Sequence, residues 1–371
     1  MKYDICVVSF SDIRFDGRTK NLIDALINLE KKVIVFSITP INIFDERITH
    51  ITIKTSLTNR VLFRWISFYG KVKKHLKNID YEIYWASDLY SLLNGTNKVV
   101  YDSREIYSAL ASLHNSYFKQ KILTAIEKRH IKKINFLITS GTRDSIYIKN
   151  KYKLNIPIYE IYNYPPYQEH INTNTIRQQL NISEHKIILL YQGVVLQGRG
   201  LRHIIDAIKE QQQYILVILG DGGYQQILKD YVESLNMKER VYFVGNIEYK
   251  ELHIWTCSAD IGLCNIEPIS YSYQLALPNK LFEYILAELP ILSTDLPALR
   301  DVIYKNENHI GKIISVDNNP NEIATALNDL VSNRDYYKKN IQDIKHNYSY
   351  QKQYDLIKTI CHSGIDNISK K

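Results

Sequence analysis

The sequence contains few cysteines and none of the arrangements that cysteine chemistry requires. Its 371 residues include only 4 cysteines, Cys6, Cys257, Cys264 and Cys361, and none belongs to a C-x-x-C pair. No histidine cluster lies near them with the spacing of a zinc site. We therefore expect reduced thiols in a cytoplasmic protein, rather than a disulfide framework or a structural metal site.

Long hydrophobic runs are also missing. No stretch reaches the ~20 apolar residues that a membrane-spanning helix needs. The opening residues, MKYDICVVSFSDIRFDG, place Asp and Arg directly after a short apolar run. That order predicts a first β-strand rather than a signal peptide. We therefore expect any membrane contact of this chain to be peripheral.

Acidic residues are the minority among the charged side chains. Lys and Arg number 47 against 39 Asp and Glu, which gives a net charge of +8. A basic balance favours partners that carry phosphate, such as a nucleotide or an anionic lipid surface, although it also serves solubility alone. The basic residues form no recognised nucleic-acid motif, so nucleic acid is not an expected partner. An Asp-x-Asp metal signature is absent as well, and we expect no metal cofactor.

Proline and glycine are scarce, at 9 and 14 residues, so the places where they cluster mark boundaries. Apolar strand patterns alternate with helical patterns on both sides of Pro165-Pro166. This proline pair is a candidate linker, because it can continue neither a helix nor a central strand. Six strands are predicted before the linker and six after it, with helical segments at 106–133, 320–331 and 335–362. Strands this uniformly apolar are typical of parallel sheets covered on both faces. The pattern predicts an α/β fold with two Rossmann-like, doubly wound parallel-sheet domains, 1–165 and 166–345.

The segment LPNKLFEYILAELP, residues 277–290, places charged side chains at a predicted helix start. Pro278 stiffens the entry and Asn279 is a suitable N-cap. Lys280 adds a positive charge to a helix end that already carries one, which indicates an anion nearby. Glu283, one turn further on, is placed to accept hydrogen bonds from a ribose diol. From spacing alone, the alternative is a Lys–Glu helix pair worth ~0.3 kcal/mol.

The longer segment LPNKLFEYILAELPILSTDLPALRDVI resembles the donor-binding segment of GT-B glycosyltransferases of family 4, the glycosyl transferases group 1. The family pattern is a Glu, seven residues and a second Glu. The resemblance makes Glu283 the second, which binds the nucleotide ribose, with Asn279, Lys280 and Leu281 beside it in the donor site. The first Glu contacts the donor sugar in the family, but position 275 is Leu275 here, so the group that replaces it stays open.

Two further segments, LLYQGVVLQGRGLRHIIDAI and VILGDGGYQQIL, resemble the first strand–helix junctions of the family's C-terminal domain. Gly193 allows close backbone approach at a strand end. By resemblance, Arg199 holds the donor diphosphate, and an Arg fork suits phosphate oxygens. Gly220, Asp221 and Gly222 match a G-x-G turn under the nucleotide, although an isolated glycine turn is more often structural.

The N-terminal half resembles the acceptor-binding domain of the same family more loosely. VVYDSREIYS matches a YD-x-H-E segment in which Arg104 takes the place of the His and Glu105 follows. Arg stays protonated and cannot act as a base, but it can bind a phosphate or a carboxylate. We predict both residues as catalytic candidates, with a structural ion pair between them as the alternative. The predicted acceptor-side residues are Asp16, Gly17, Arg18 and Asn163.

The segment NRVLFRWISFYGKVKKHLKNID is the most basic part of the chain. Val61, Trp65, Phe68 and Val72 recur in it at helical spacing, among six Lys and Arg residues. A basic amphipathic helix with aromatics suits an anionic membrane surface and a lipid-linked acceptor. The alternative is an ordinary sheet-covering helix with a solvated lysine face.

With the resemblance, the sequence predicts a retaining, metal-independent glycosyltransferase that acts in bacterial surface polysaccharide assembly. It would move a sugar from a nucleotide-sugar donor to a glycan or lipid-linked acceptor, with Arg199 and Lys280 stabilising the departing diphosphate. The resemblance also implies two domains facing a central cleft and a C-terminal segment, 346–371, that returns to the first domain. A nucleotide-sugar 2-epimerase and a non-catalytic nucleotide-sugar binding subunit stay open as alternatives. The expected location is the cytoplasm, or peripherally the inner face of the cytoplasmic membrane.

Overall fold

A computed structural model describes residues 2–14, 16–40, 45–55, 61–92, 96–107, 116–305 and 309–365. The chain divides into two compact units, and each contains one parallel sheet. Unit 1 combines Met1–Asn163 with Tyr350–Lys371, and unit 2 is Tyr164–Ser349. The predicted boundaries lay at 165/166 and 345/346. The predicted α/β fold with two doubly wound parallel sheets is confirmed.

Unit 1 is built on a seven-stranded sheet in the order β3-β2-β1-β4-β5-β6-β7, with every pair parallel. Its strands are β1 (Lys2–Val8), β2 (Val33–Ser37), β3 (Ile48–Thr52), β4 (Asp80–Ala86), β5 (Lys98–Ser103), β6 (Phe136–Thr139) and β7 (Ile158–Glu160). Its helices are α1 (Gly17–Asn28), α2 (Val61–Leu76), α3 (Tyr117–His130), α4 (Thr142–Tyr152) and α14 (Tyr354–Ile365). The strand order reverses between β1 and β4, which places a topological switch point at their carboxyl ends.

Unit 2 is built on a six-stranded parallel sheet in the order β10-β9-β8-β11-β12-β13. Its strands are β8 (Ile187–Gln192), β9 (Tyr214–Leu219), β10 (Val241–Gly245), β11 (Ile261–Cys264), β12 (Ile291–Thr294) and β13 (Gly311–Ile314). Its helices are α5 (Thr175–Leu180), α6 (Leu201–Ile208), α7 (Gln225–Ser234), α8 (Tyr249–Cys257), α9 (Tyr271–Gln274), α10 (Asn279–Leu286), α11 (Pro297–Ile303), α12 (Pro320–Ser332) and α13 (Arg334–Ile344). Here the switch point lies between β8 and β11, so ligand-binding groups are expected at the ends of these two strands.

The structure differs from the predicted elements at several places, including β3 and two of the predicted helices. Strand β3 was not predicted, because its residues ITHIT lie half-exposed at the sheet edge and lack the apolar run of a central strand. The helix predicted at 106–133 begins at Tyr117 in the described part of the chain; positions 108–115 lie outside it. The helix predicted at 335–362 is interrupted between α13 and α14 by two short 3-10 turns, Lys345–Asn347 and Tyr350–Gln353.

Aromatic side chains explain the interruption before α14. Tyr348 packs on Phe282 in unit 2, with ring centroids 5.7 Å apart, and Tyr350 is buried in unit 1. The interruption thus lies where the chain passes from unit 2 back to unit 1, and tertiary burial of these rings overrides the local helical pattern.

Candidate functional site

Glycine loops form the floor of the candidate site at the ends of β8 and β9. Gly193 and Gly220 both have φ of +126°, a region that L side chains rarely adopt. A Cβ on Gly220 would lie 2.1 Å from the carbonyl oxygen of Gly193, and one on Gly222 would lie 2.2 Å from that of Val195. The Val195 amide donates to the Asp221 carbonyl at 3.0 Å. The glycines thus let two loops pack backbone against backbone, which is a requirement of the fold apart from any ligand.

Lys280 is a buried ammonium group without a hydrogen-bond partner in the described residues. Its side chain lies over the ring of Tyr191, with Nζ 3.5 Å from the centroid, and only 6% of the residue is exposed. Burial, with a smaller contribution from Arg199, lowers the pKa of Lys280 to about 7. The helix itself begins at Asn279 with Pro278 as its N-cap, so the prediction of Asn279 as the cap was wrong. Proline takes that position because it needs no amide partner and stiffens the entry.

Arg199 supplies a second cation at the same switch point. Its guanidinium carbon lies 4.6 Å from the centroid of the Tyr273 ring, and its buried Nε has no hydrogen-bond partner in the described part of the chain. Gly200 follows in the left-handed region, with φ of +66°, and is the N-cap of α6. Buried cations without partners are unfavourable unless an anion joins them. The buried Lys280 ammonium group and the buried Nε of Arg199 therefore suit an anionic ligand.

Glu283 lies one turn beyond Lys280 and is held by a chain of hydrogen bonds. The side-chain amide of Gln192 donates to Glu283, and Gln192 in turn accepts from the Thr256 hydroxyl at 2.9 Å. Burial raises the pKa of Glu283, and the hydrogen bond from Gln192 opposes that rise. The carboxylate is thereby oriented with one oxygen committed to Gln192. Sequence reasoning missed Gln192 and Thr256, since their contacts with Glu283 depend on strand order.

Glu283 also borders a shallow, open cleft in unit 2. The cleft is lined by Pro165, Pro166, Gln168, Tyr249, Leu252, His253, Thr256, Glu283 and Leu286. Leu281, predicted in the donor-binding set, is fully buried, so its side chain belongs to the core rather than to a binding surface. The cleft thus combines apolar and polar side chains of α8 and α10 with the Glu283 carboxylate. This composition suits a nucleoside.

Glu267 lies near Arg199. It comes eight residues before Leu275, the position at which the family pattern has its first Glu. Its carboxylate accepts a hydrogen bond from the Gly200 amide at 3.2 Å. Leu275 ends the short helix α9 and is half-buried. An acidic group is therefore present beside the Arg199 loop, even though the family position for it holds a leucine.

In unit 1, Asp16 and Arg104 form a buried ion pair. Both Asp16 carboxylate oxygens accept from Nη1 of Arg104, at 2.7 and 2.6 Å, and Arg104 also donates to the Thr19 hydroxyl. Asp16 is the N-cap of α1 and accepts from the Thr19 amide. Burial alone would raise the pKa of Asp16, but Arg104 and hydrogen bonds from Ser11 and Thr19 bring it to about 2.

Arg18 completes the same network. Its guanidinium donates to Asp102, to the Ile161 carbonyl and to the Asn163 side chain. Asp102 also lies 3.5 Å from Nε of Arg104. The structure thus brings Asp16, Arg18, Arg104 and Asn163 together at the carboxyl ends of β1 and β5. The ionic partners shown for Arg104 are Asp16, before α1, and Asp102, at the end of β5, whereas the alternative interpretation placed Glu105 in that role.

The remaining predicted positions differ in setting. Glu105 is exposed, and a Cβ on Gly17 would meet no atom within 4 Å, so the start of α1 is open on that side. Asp144 was missed: burial raises its pKa to about 6, despite a hydrogen bond from Ser140 at 3.2 Å. The one sequence signal for Asp144 would have been an acidic residue in the first turn of a helix, here α4.

Two further properties of the described residues concern metals and membranes. Across the described ranges, no three His, Cys, Asp or Glu side chains are grouped so that they could hold a metal ion. In the same ranges, none of the helices combines the length and apolar character needed to cross a bilayer.

Comparison with known proteins shows which family the second half of the chain resembles. The sequence profile named Glycosyl transferases group 1 matches residues 172–347, which include Arg199, Lys280 and Glu283. This segment is therefore similar to the glycosyl transferases group 1 family. An uncharacterized glycosyltransferase of Methanocaldococcus jannaschii is 26% identical over 197 residues, which are 51% of this chain and 44% of that protein. The aligned part thus spans less than half of that relative's own length.

Solved structures extend the likeness of fold over the whole chain. Sucrose-phosphate synthase of Thermosynechococcus elongatus superposes with a TM-score of 0.80 at 14% identity, covering 99% of this chain and 100% of that one. HepE of Anabaena in complex with UDP-glucose gives a TM-score of 0.71 at 16% identity, with 100% of both chains covered. The predicted GT-B fold is therefore confirmed, as is the resemblance to group 1 glycosyltransferases.

Proposed function

We propose that this protein is a glycosyltransferase that uses a uridine-diphosphate sugar as donor. One observation carries the proposal: the buried Lys280 and the half-buried Arg199, whose buried Nε also has no hydrogen-bond partner among the described residues, lie at the switch point of unit 2. The half-buried carboxylate of Glu283 lies one turn beyond Lys280. A diphosphate supplies the missing anion, and a ribose supplies hydroxyl donors for Glu283. The structural relative HepE, at 16% identity, was solved with UDP-glucose, which supports the choice of base.

Each group has a distinct task in the proposed reaction. As the bond between the sugar and the diphosphate breaks, negative charge grows on the departing phosphate oxygen. Arg199 and Lys280 stabilise that charge, because prepositioned cations in a desolvated site act without reorganising at the moment of reaction. Glu283, oriented by Gln192, positions the nucleoside. The acceptor binds unit 1, where the network around Arg18 and Arg104 presents polar groups at the sheet edge.

Three finer points belong to the same proposal. The transfer retains the configuration of the sugar, as in the family that the motifs resemble. The cations replace a metal, so transfer needs no divalent ion and proceeds in the presence of EDTA. The acceptor is a glycan or a lipid-linked sugar in surface polysaccharide assembly, a place supported by the family resemblance and by the basic surface of unit 1.

The first test is a thermal-shift screen of nucleotides, because a ligand that binds only the folded protein raises its apparent stability. UDP is expected to raise the melting temperature more than UMP or uridine do, and no shift with any diphosphate would refute the donor site. Arg199→Ala is expected to lower kcat at least ~10²-fold, the scale of one lost transition-state contact. Arg202→Ala is the matched control, since its guanidinium also lies over a tyrosine, 4.3 Å from the Tyr231 centroid, but without burial.

Glu283→Ala separates nucleoside binding from phosphate binding. It is expected to weaken UDP strongly and inorganic pyrophosphate little, while Glu233→Ala, on the exposed face of α7, changes neither. Equal losses for UDP and pyrophosphate would contradict the ribose role. Conversion of a UDP-sugar to its epimer without acceptor would instead identify an isomerase.

A further inference from the structure

Two helices of unit 1 expose large apolar side chains at their first turns. Leu62, Phe63 and Ile66 of α2 and Phe118 and Ile122 of α3 are all exposed, and Phe118 reaches 75% exposure. These two helices bury their other faces in a single core cluster, Phe68 and Val72 from α2 with Leu123 and Ile126 from α3. The apolar residues are therefore an outward surface and not the remainder of a poorly packed core.

Topology places the two sets of apolar residues at one edge of one face. Helix α2 follows β3 and leads to β4, and α3 follows β5 and leads to β6, so both connections run in the same direction across the sheet. Right-handed crossovers then put both helices on the same face. Both helices begin at the carboxyl ends of the strands. At the start of α2, Trp65 donates to the Tyr90 carbonyl, and the Tyr90 ring lies 6.1 Å from that of Tyr107 at the end of the segment that follows β5.

The charges of the same helices have one sign. Helix α2 contains no Asp or Glu, and the one acidic residue of α3, Glu127, is buried and accepts from the hydroxyls of Tyr101 and Tyr152. Exposed basic residues follow the apolar turns along both helices: Lys71, Lys73, Lys74, Lys119, Lys128 and Arg129. Exposed aliphatic and aromatic side chains next to cations without opposing acids match an interface between acyl chains and anionic headgroups.

We propose that this α2–α3 surface docks unit 1 onto an anionic lipid bilayer. The apolar residues enter the headgroup region, and the lysines along the helices contact the lipid phosphates. The surface lies at the same edge of the sheet as the network of Asp16, Arg18 and Arg104, so a docked unit 1 takes its acceptor from the membrane. In that last step the inference rests on the proposed function, whereas the docking itself does not.

The experiment is flotation of the purified full-length chain with vesicles, without nucleotide or acceptor. Vesicles of phosphatidylcholine alone are compared with vesicles containing ~30% phosphatidylglycerol at low and high salt. Binding is expected only to the anionic vesicles and is expected to fall as salt rises, since Debye screening weakens surface attraction. No binding, or equal binding to both kinds of vesicle, would overturn the proposal.

Two variants separate the apolar and the charged parts. Leu62→Ser/Phe63→Ser/Phe118→Ser is expected to abolish flotation, with Ile227→Ser, an exposed apolar residue of unit 2, as its control. Lys73→Glu/Lys74→Glu is expected to weaken binding at least ~20-fold, from a factor of about five for each lysine at an anionic surface.

The control for the charged variant carries the same change of net charge on the other face of the sheet. Lys352→Glu/Lys358→Glu alters exposed lysines in and before α14, which packs on α1 and β4. Equal losses in the two double variants would show attraction by net charge alone and refute the surface. If gel filtration shows a dimer for the unaltered protein and a monomer for the triple serine variant, a second copy of the chain covers the α2–α3 surface. That result would also refute the membrane proposal.

The same samples keep the two proposals distinguishable. Every substituted side chain is exposed, so the melting temperature and the shift induced by UDP should match the unaltered protein. Failure of flotation with a normal UDP shift rejects the membrane surface alone. Absence of the UDP shift with normal flotation rejects the donor site alone.

Discussion

Replacement of Lys280 by methionine should stabilise the free protein while impairing its ligand binding. Lys280 is 6% exposed and its ammonium group has no hydrogen-bond partner in the described residues. Methionine fills a similar volume without a charge to desolvate. The expected pattern is a rise in melting temperature without ligand and a loss of most of the shift caused by UDP. A binding residue held in an unfavourable free state is a common form of the trade-off between stability and activity.

The size of the effect follows from the pKa of Lys280. Its folded value is about 7 against an ordinary 10.5, and burial is the main cause. Between these values the unfolded chain binds more protons than the folded one, so stability from this group rises with pH. The linkage relation puts the penalty at about 4 kcal/mol at pH 7 and about 2 kcal/mol at pH 9. These are upper limits, because the ring of Tyr191 stabilises the ammonium form.

The assay is denaturant unfolding of both proteins at pH 7 and pH 9. Lys280→Met should be more stable at both, and its advantage should shrink by about 2 kcal/mol between them. Calorimetry of UDP binding gives an independent check. Because the bound anion restores the charge of Lys280, binding should be accompanied by the uptake of close to one proton at pH 8. The Lys280→Met variant should lose this uptake. A variant less stable than the unaltered protein, or an advantage independent of pH, would refute the description of Lys280 as an unpaired buried cation.

Three further substitutions test other parts of the site. Gln192→Leu removes the donor that opposes the raised pKa of Glu283, so UDP affinity should fall about 10-fold. The affinity of the variant relative to the unaltered protein should be lower at pH 6 than at pH 8. A relative affinity that is constant with pH would refute the positioning role of Gln192. Arg104→Met leaves a buried aspartate without its cation and should reduce unfolding stability by about 3–5 kcal/mol; a loss of transfer without destabilisation would make Arg104 catalytic instead. Gly220→Ala should cost at least about 2 kcal/mol in the same denaturant assay, whereas Gly223→Ala, where a Cβ meets nothing within 4 Å, should be tolerated.

Local sequence pattern was sufficient for the two sheets and led to the prediction of a site at the start of α10. Apolar β-branched runs between helical segments predicted two parallel sheets, since burial on both faces leaves no polar alternation. The charge conflict at Lys280 was visible as well, because a cation at a helix start needs an anion. Polar edge strands such as β3 lack this signal, which is why it was not predicted.

The partners of the site residues required the tertiary structure. Arg104 and Asp16 are 88 residues apart in the chain, and Gln192 and Glu283 are 91 apart. Such pairs form because the carboxyl ends of neighbouring strands meet, and strand order is not encoded in local periodicity. The same holds for the exposed start of α2: helical spacing identified an apolar stripe, but which of its residues face the core depends on how the helix lies on the sheet.

The sequence by itself thus determined the alternation of strands and helices, the glycine turns and the unusual charge at the start of α10. These are local properties, set by side-chain periodicity and backbone freedom over a few residues. Only the tertiary structure decided that Lys280 lies buried on an aromatic ring without a partner, that Arg104 belongs to Asp16, and that Leu62 and Phe118 remain outside. Burial and electrostatics depend on what surrounds a group in space, and distant segments provide those surroundings.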